Sequence, residues 1–165
     1  MIYIVGTNHE LQHTAAPSRA APRDTENARE ELKSYMRQLA NEIKPVIMAE
    51  EFSQNVLTFK NCNSNVKDVA DELGIKHCFC DPDVQERVIL GLPAHGTEHC
   101  DPSDRSRFNA LREEYWVKRL SDVLDQTVLF VCGADHVASF SRLLRGKGIA
   151  TKVQEEYFGR DIYCR

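Results

Sequence analysis

The sequence predicts an α/β protein: a single-domain, Rossmann-like layered fold with a mainly parallel sheet of about five strands and helices on both faces. Short apolar runs alternate along the chain with segments of helical periodicity, which is typical of βαβ units. A length of 165 residues suits one domain spanning 1–165. Two apolar runs also end in the same pattern, Gly6-Thr7-Asn8-His9 and Gly133-Ala134-Asp135-His136, as buried strands that stop at a glycine do.

The first two strands are predicted on either side of one long helix. Residues 2–5 form the first strand, and residues 9–23, with two prolines and little periodicity, form a loop. A cap at residues 24–25 then begins an amphipathic helix, which Pro45 stops. The second strand follows at residues 46–49.

The middle of the chain is less regular. Asn65 is predicted to cap a helix that Gly74 closes, before a strand at 75–80 and a short helix at 84–90. Glycines, prolines and polar residues crowd the segment 81–104. An irregular stretch of this length in a compact domain is usually functional, so we expect an active-site loop or lid there.

The last third returns to a regular alternation. A long helix is predicted from Ser103 or Asp104, then a strand at 127–132, a helix opened by His136 and a final strand at 149–153. Helical spacing predicts that the long helix buries one apolar stripe, made of Phe108, Leu111, Tyr115, Leu120, Val123 and Leu124.

Charge and composition argue against two classes of partner. The formal net charge is −4, so we expect no electrostatic attraction to nucleic acid. No apolar run is long enough to cross a bilayer, and the first residues lack the basic segment and cleavage site of a signal peptide. We therefore expect a cytoplasmic protein with a small-molecule or peptide substrate. The sequence leaves open whether the protein forms a homo-oligomer.

The six cysteines form no CxxC pair and are expected to be free thiols in a reducing compartment. Cys132, inside a predicted buried strand, is expected to be inert. The patch at residues 77–80 allows two interpretations: a metal site shared with His99 and Cys100, or a strand whose alternate small residues are buried. We prefer the strand.

Ionisable residues follow the predicted strands, at the point where each strand ends. Since ligands bind at the carboxyl edge of open α/β sheets, these groups are expected to converge there. Several charges buried together need pairing, protonation or a bound cation, so the edge is a candidate ligand, metal or catalytic site. The residues concerned are His9, Glu50, Glu51, Asp81, Asp83, Asp135 and His136.

Two glycines and one arginine complete this candidate site. Gly6 and Gly133 are expected to adopt positive φ and to let a ligand approach the backbone. Side chains alternate across a strand, so only one of Glu50 and Glu51 faces the site, and the sequence does not choose between them. Arg112 either neutralises the clustered carboxylates or holds an anionic substrate; the alternative is a surface salt bridge.

Taken together, these motifs resemble the TraB/TIKI group of the erythromycin-esterase/ChaN-like superfamily. The resemblance rests on the two GxxH turns with Gly6, His9, Gly133 and His136, a glutamate at the end of the second strand, and Arg112 on a helix. TIKI proteins are described as metal-dependent proteases, and TraB is linked to shutting down a peptide signal. Some superfamily members instead use histidine and glutamate as an acid/base pair without metal.

The resemblance implies a site and a mechanism. A divalent cation (Mn, Co or Zn) would be held by His9, His136 and a glutamate, which we assign as Glu50. Such an ion lowers the pKa of its bound water to about 7, and the remaining carboxylate, Glu51, would act as general base. Arg112 would stabilise the oxyanion.

The leading functional hypothesis is therefore a metal-assisted hydrolase of a peptide, ester or similar bond. The alternative is a non-catalytic module that binds a small anion or nucleotide at the same sheet edge. A third hypothesis, a subunit that only binds other proteins, would be supported by an exposed apolar patch around Trp116.

Overall fold

The structure is a computed structural model that describes residues 1–14, 22–55, 62–93 and 100–160, without the side chains of 22–24. It confirms the predicted α/β class. Five parallel strands form one sheet in the order β3-β2-β4-β1-β5. The strands are β1 (Ile2–Thr7), β2 (Ile47–Glu50), β3 (Lys76–Phe79), β4 (Val128–Gly133) and β5 (Thr151–Phe158).

Six α-helices connect these strands within the described residues. They are α1 (His9–Gln12), α2 (Pro22–Ile43), α3 (Asn65–Leu73), α4 (Val84–Ile89), α5 (Pro102–Arg119) and α6 (Ala134–Gly146), with a 3₁₀ turn at Ser121–Val123. Most boundaries lie within two residues of those predicted. There are two exceptions. The predicted loop at 9–23 contains α1 and the first residues of α2, and the last strand, predicted at 149–153, runs to Phe158.

Local chemistry explains where α1 and α3 begin and end. The side chain of Asn8 accepts a hydrogen bond from the Glu10 amide, so it caps α1, a helix too short to show apolar periodicity. Ser64, rather than the expected Asn65, caps α3. Gly74 ends that helix in the left-handed conformation, with φ 66°.

The two strands that end in GxxH lie side by side. β1 and β4 are parallel neighbours at the centre of the sheet, with Gly6 opposite Cys132 and Thr7 opposite Gly133. The sequence-based expectation that both turns reach one edge of the sheet is therefore confirmed. Each strand leads directly into a helix, α1 after β1 and α6 after β4, so His9 and His136 both lie in a first helical turn.

The sheet separates two apolar cores. On one face Val5, Met48 and Leu129 pack with side chains of α2 and α3. On the other face Ile4 and Phe130 pack with α5 and α6. Burial of each large apolar side chain stabilises the fold by about 1.5–3 kcal/mol. In the second core the Trp116, Phe130 and Phe140 rings lie within 5.3 Å of one another, centroid to centroid.

The predicted apolar stripe of α5 is confirmed only in part. Leu120 is buried in the core, and Tyr115, Val123 and Leu124 pack against it, whereas Leu111 is exposed. The prediction missed that the helix also buries Arg112 and Glu113, which are paired with other charged groups.

Trp116 itself is fully buried, whereas Leu111 of α5 and Ile89 of α4 are exposed and line one surface pocket with Leu90 and Tyr115, so the protein-binding subunit stays an untested hypothesis.

No helix in the described ranges has the length and apolar character needed to cross a membrane.

Gly6 is required by packing at the centre of the sheet. A Cβ built on it would lie 2.2 Å from the Glu156 carbonyl oxygen and 2.4 Å from Val137 Cγ2. We expect Gly6→Ala to lower the free energy of unfolding by about 1–3 kcal/mol, because backbone and helix must shift to make room. Urea denaturation measures this change.

The matched control for this substitution is Gly146→Ala, at the end of α6. A Cβ there meets nothing within 4 Å, so the variant should be as stable as the wild type or more stable by up to about 1 kcal/mol. Equal stability of the two variants would contradict the packing role of Gly6.

Candidate active site

The strand-end glutamates point to opposite faces of the sheet. Glu50 lies on the α3 face, where its Oε1 accepts a short hydrogen bond from Ser64 and lies 2.9 Å from His77 Nε2. Glu51 lies on the α5 face, where Arg112 Nη2 is 2.5 Å from its Oε1. The sequence did not show which of Glu50 and Glu51 faces the site with Arg112. In the structure it is Glu51 that contacts Arg112.

Glu51 is the centre of a buried cluster. Its Oε2 accepts a hydrogen bond from the Gly133 amide at 2.7 Å. Its Oε1, besides contacting Arg112, lies 3.3 Å from His136 Nε2 and 3.7 Å from His9 Nε2. Burial alone would raise the pKa of Glu51, but the charges of His136, Arg112 and His9 hold that pKa well below its usual range. Glu51 is therefore an anion at any working pH.

Arg112 is fixed between two carboxylates. Besides Glu51, it meets Asp81, whose Oδ1 accepts from Nε at 2.8 Å and lies 2.7 Å from Nη2. Asp81 is held in turn by Arg87 at 2.6 Å and by the Trp116 indole N–H at 3.2 Å. Burial would lower the pKa of Arg112, but the two carboxylates raise it above its ordinary value. The guanidinium is a permanent, immobile charge.

His136 lies between two carboxylates of its own. Its Nδ1 is 2.8 Å from Glu113 Oε1, which also accepts a hydrogen bond from Ser139. Burial would lower the pKa of His136, but the charge of Glu51 and the hydrogen bond to Glu113 outweigh it and raise the pKa to about 9. At neutral pH His136 is an imidazolium, and its 3.2 Å contact with Arg112 Nη1 is a contact between two cations.

The charges of this cluster balance. Its carboxylates are Glu51, Asp81 and Glu113, and its cations are Arg87, Arg112 and the protonated His136. A neutral His136 would leave one buried negative charge without a counterion, which is the costly arrangement in a low-dielectric interior. Charge balance and the raised pKa of His136 therefore both indicate that His136 is protonated.

His9 occupies a different environment. Its side chain is 49% exposed, in contrast to the 1% of Glu51 and the 5% of His136. Its Nδ1–H donates to the Oε1 of the buried Gln12 at 2.7 Å, which orients the ring and leaves Nε2 facing Glu51. His9 is therefore the member of the cluster that solvent reaches.

The two glycines act by making room, and neither has the expected positive φ. Gly133 is extended, with φ −58° and ψ 139°, and Gly6 does not belong to the positive-φ glycines. A Cβ on Gly133 would lie 3.0 Å from His9 Nε2 and 3.2 Å from Glu51 Oε2. Gly133 thus lets the imidazole approach the carboxylate, whereas protein atoms already fill the space beside Gly6.

The metal set expected from the resemblance is not assembled. Glu50 lies on the opposite face of the sheet from the His9–Glu51–His136 group, because adjacent strand residues point to opposite sides. Across the parts of the chain described, no group of three or more His, Cys, Asp or Glu side chains is placed to hold a metal ion. Glu51 in place of Glu50 does not rescue the set, because Arg112 occupies its Oε1 and both His136 nitrogens already face charged groups. This donor set does not fit a divalent cation.

The other strand-end residues have separate positions. Asp81 belongs to the cluster, as described above. Asp83 caps α4 in a capping box with Glu86, and Asp135 is exposed. Of the predicted lid at 81–104, the structure describes α4 and the start of α5, while 94–99, which include His95 and His99, lie outside the described residues.

Three residues of the site were missed from the sequence: Gln12, Arg87 and Glu113. Gln12 lies three residues after His9, a helical spacing that would have suggested the contact had α1 been recognised. Glu113 directly follows Arg112, and its carboxylate would have been noticed only if the buried face of α5 had been assigned correctly. Arg87 had no sequence signal.

Searches of family models, curated proteins and solved structures found no match to this chain.

The protonation of His136 can be read from a neighbouring fluorophore. Trp116, the single tryptophan of the sequence, lies 4.9 Å from the His136 ring. An imidazolium quenches indole fluorescence more strongly than a neutral imidazole. We expect Trp116 emission to rise with pH around a midpoint of about 9, and His136→Asn to remove the transition. A midpoint near 6.5 in the wild type would contradict the ion-paired environment.

The same group should make stability depend on pH. The pKa of His136 is raised by folding from 6.5 to about 9, so its stabilising contribution is complete below about pH 6.5 and is lost as pH rises through 9. We expect the difference in unfolding free energy between wild type and His136→Asn to shrink by up to about 3 kcal/mol across that window. Urea denaturation of both proteins between pH 6 and pH 10 measures it; a constant difference would argue against the shift.

Proposed function

We propose that this chain is a hydrolase of a peptide, ester or similar bond, with His9 as general base at the edge formed by β1, β2 and β4. The observation that supports this most directly is the placement of His9 Nε2. It belongs to a solvent-accessible ring, is oriented by Gln12 and lies 3.7 Å from a buried, ionised carboxylate. That combination is what general base catalysis requires.

The proposed step begins with water activation. In the tautomer whose Nδ1–H donates to Gln12, Nε2 offers its lone pair to a water molecule. As the water oxygen attacks the carbonyl carbon, its proton passes to His9 Nε2, and the Glu51 carboxylate stabilises the imidazolium that forms. When the tetrahedral intermediate collapses, the same Nε2–H donates its proton to the leaving oxygen or nitrogen. Atoms and charge balance with one residue acting first as base and then as acid.

The buried cations have a supporting role. Arg112 and protonated His136 both contact the Glu51 carboxylate, and their positive charge keeps it ionised beside His9. They also hold the Glu51 carboxylate in one orientation. This metal-free histidine–glutamate arrangement replaces the metal-assisted mechanism that the resemblance implied, because the donor set does not fit a divalent cation.

The principal alternative, a module that binds a small anion or nucleotide, has less support. Both buried cations that would hold an anion are already paired with carboxylates. An anionic ligand would have to displace one of these pairs and leave a carboxylate uncompensated. Thermal-shift measurements with phosphate and nucleotides distinguish the two functions: stabilisation without turnover would favour the binding module.

His9 is the residue whose removal tests the hydrolase. We expect His9→Ala to lower kcat for hydrolysis by about 10²–10⁴-fold in a panel of ester and peptide substrates, because the base is lost while Glu51 and its partners stay in place. Chelators should not lower the rate, and added Mn²⁺, Co²⁺ or Zn²⁺ should not raise it.

The control variant is Asp135→Asn, which alters an exposed strand-end acid outside the cluster and should keep wild-type activity. Wild-type rates in His9→Ala would refute His9 as base. Loss of activity on chelation, with recovery on adding a metal, would restore the metal-assisted mechanism.

A further inference from the structure

Two cysteines at the edge of the sheet are close enough to react with each other. Cys78 lies in the edge strand β3 and Cys80 directly follows that strand. The Cys80 thiol donates to Cys78 Sγ across a sulfur–sulfur distance of 3.7 Å. Cys78 is half-buried and Cys80 is buried, so Cys78 is the more exposed residue of the two. The proposed hydrolase does not use this pair.

The surroundings give the two thiols different reactivities. The hydrogen bond from Cys80 and the charge of Arg119 outweigh burial and lower the pKa of Cys78 to about 6, so it is largely a thiolate at neutral pH. Burial, together with the neighbouring Cys78, raises the pKa of Cys80 well above its ordinary value. A thiolate beside a more deeply buried thiol is the arrangement of a reactive cysteine and its resolving partner.

We propose that Cys78 and Cys80 are a peroxide-reactive thiol pair that closes to a reversible disulfide. The Cys78 thiolate attacks one oxygen of hydrogen peroxide, the O–O bond breaks, and the hydroxide that leaves is protonated to water. The resulting sulfenic acid is attacked by Cys80, whose proton goes to the departing hydroxide as the S–O bond breaks and the S–S bond forms. Two thiols and one peroxide thus give one disulfide and two waters.

Bond formation requires only a small displacement of the two sulfur atoms. Bonded sulfurs are about 2.05 Å apart, so the present 3.7 Å must shorten by about 1.7 Å between residues two positions apart.

Closure of the bond would act next to the buried charge cluster. Cys80 precedes Asp81, the carboxylate that holds Arg87, Arg112 and the Trp116 indole N–H. The Cys80 amide donates to the Glu50 carbonyl oxygen at 2.9 Å, which ties the same segment to β2. Movement of the Cys80 sulfur toward Cys78 should consequently shift Asp81 and alter Trp116 emission.

The chain allows a direct test. Trypsin cuts after Lys76 and Arg87, which releases residues 77–87 as a peptide with Cys78 and Cys80 and no other cysteine. After brief exposure of the wild-type protein to hydrogen peroxide and alkylation with iodoacetamide, we expect this peptide unalkylated and lighter by two hydrogen atoms. Dithiothreitol should restore the alkylated form and the original Trp116 emission.

Cys62 and Cys100 serve as internal controls, because they are half-buried to a similar degree. We expect the 77–87 peptide to lose its thiols at least about tenfold faster than Cys62 and Cys100 do, because the lowered pKa of Cys78 makes it largely a thiolate beside a second thiol. In Cys80→Ser the sulfenic acid on Cys78 should persist and be trapped by dimedone. The proposal would be overturned if Cys78 were oxidised no faster than Cys62 and Cys100. It would also be overturned if Cys78 of the wild type were over-oxidised to sulfinic acid while Cys80 remained a thiol that iodoacetamide alkylates.

Discussion

The structure of the site depends on one buried anion, the Glu51 carboxylate. An ionised carboxyl group in the interior is tolerated only when its oxygens are fully paired, and here the donors come from separate elements: the Gly133 amide at the end of β4, Arg112 on α5 and His136 on α6. Those elements are brought together because β2, β4 and β1 are adjacent and parallel. Removal of any one donor would leave charge uncompensated, so the fold and the chemistry of this edge are specified together.

Two similar sequence patterns produce two chemically different histidines. Both GxxH turns follow central strands and place an imidazole in the first turn of a helix. His136 enters a position enclosed by Glu51 and Glu113, where it stays protonated, whereas His9 remains half-exposed and bonds to the neutral amide of Gln12. In the proposed hydrolase, the environment rather than the residue type makes one ring a fixed charge and the other the general base, a recurrent arrangement in acid–base sites.

Much of this was predictable from the sequence, and the failures have physical causes. Apolar runs and their glycine ends correctly predicted the sheet, the adjacency of β1 and β4 and the edge where charges gather. They left Glu50 and Glu51 undecided, because a shift of one residue reverses every side chain in a strand and no pattern fixed the register. The buried face of α5 was predicted only in part, because its interior also holds Arg112 and Glu113, which a prediction from hydrophobicity places on the surface. The predicted metal ligands do not come together for a related reason. Arg112 already neutralises the Glu51 carboxylate, which a metal ion would have needed as a ligand.

Charge balance also indicates what the cluster can do. With three carboxylates matched by two guanidinium groups and one imidazolium, the resting cluster has no surplus charge to attract an anion or a metal ion. The electric field of the cluster affects a reaction in which positive and negative charge separate close to it. In the proposed mechanism, proton transfer from water to His9 creates a positive ring 3.7 Å from the Glu51 carboxylate, which stabilises that ring. If the proposed hydrolase mechanism holds, this immobile carboxylate favours the transition state over the resting complex, as preorganised electrostatics does in general.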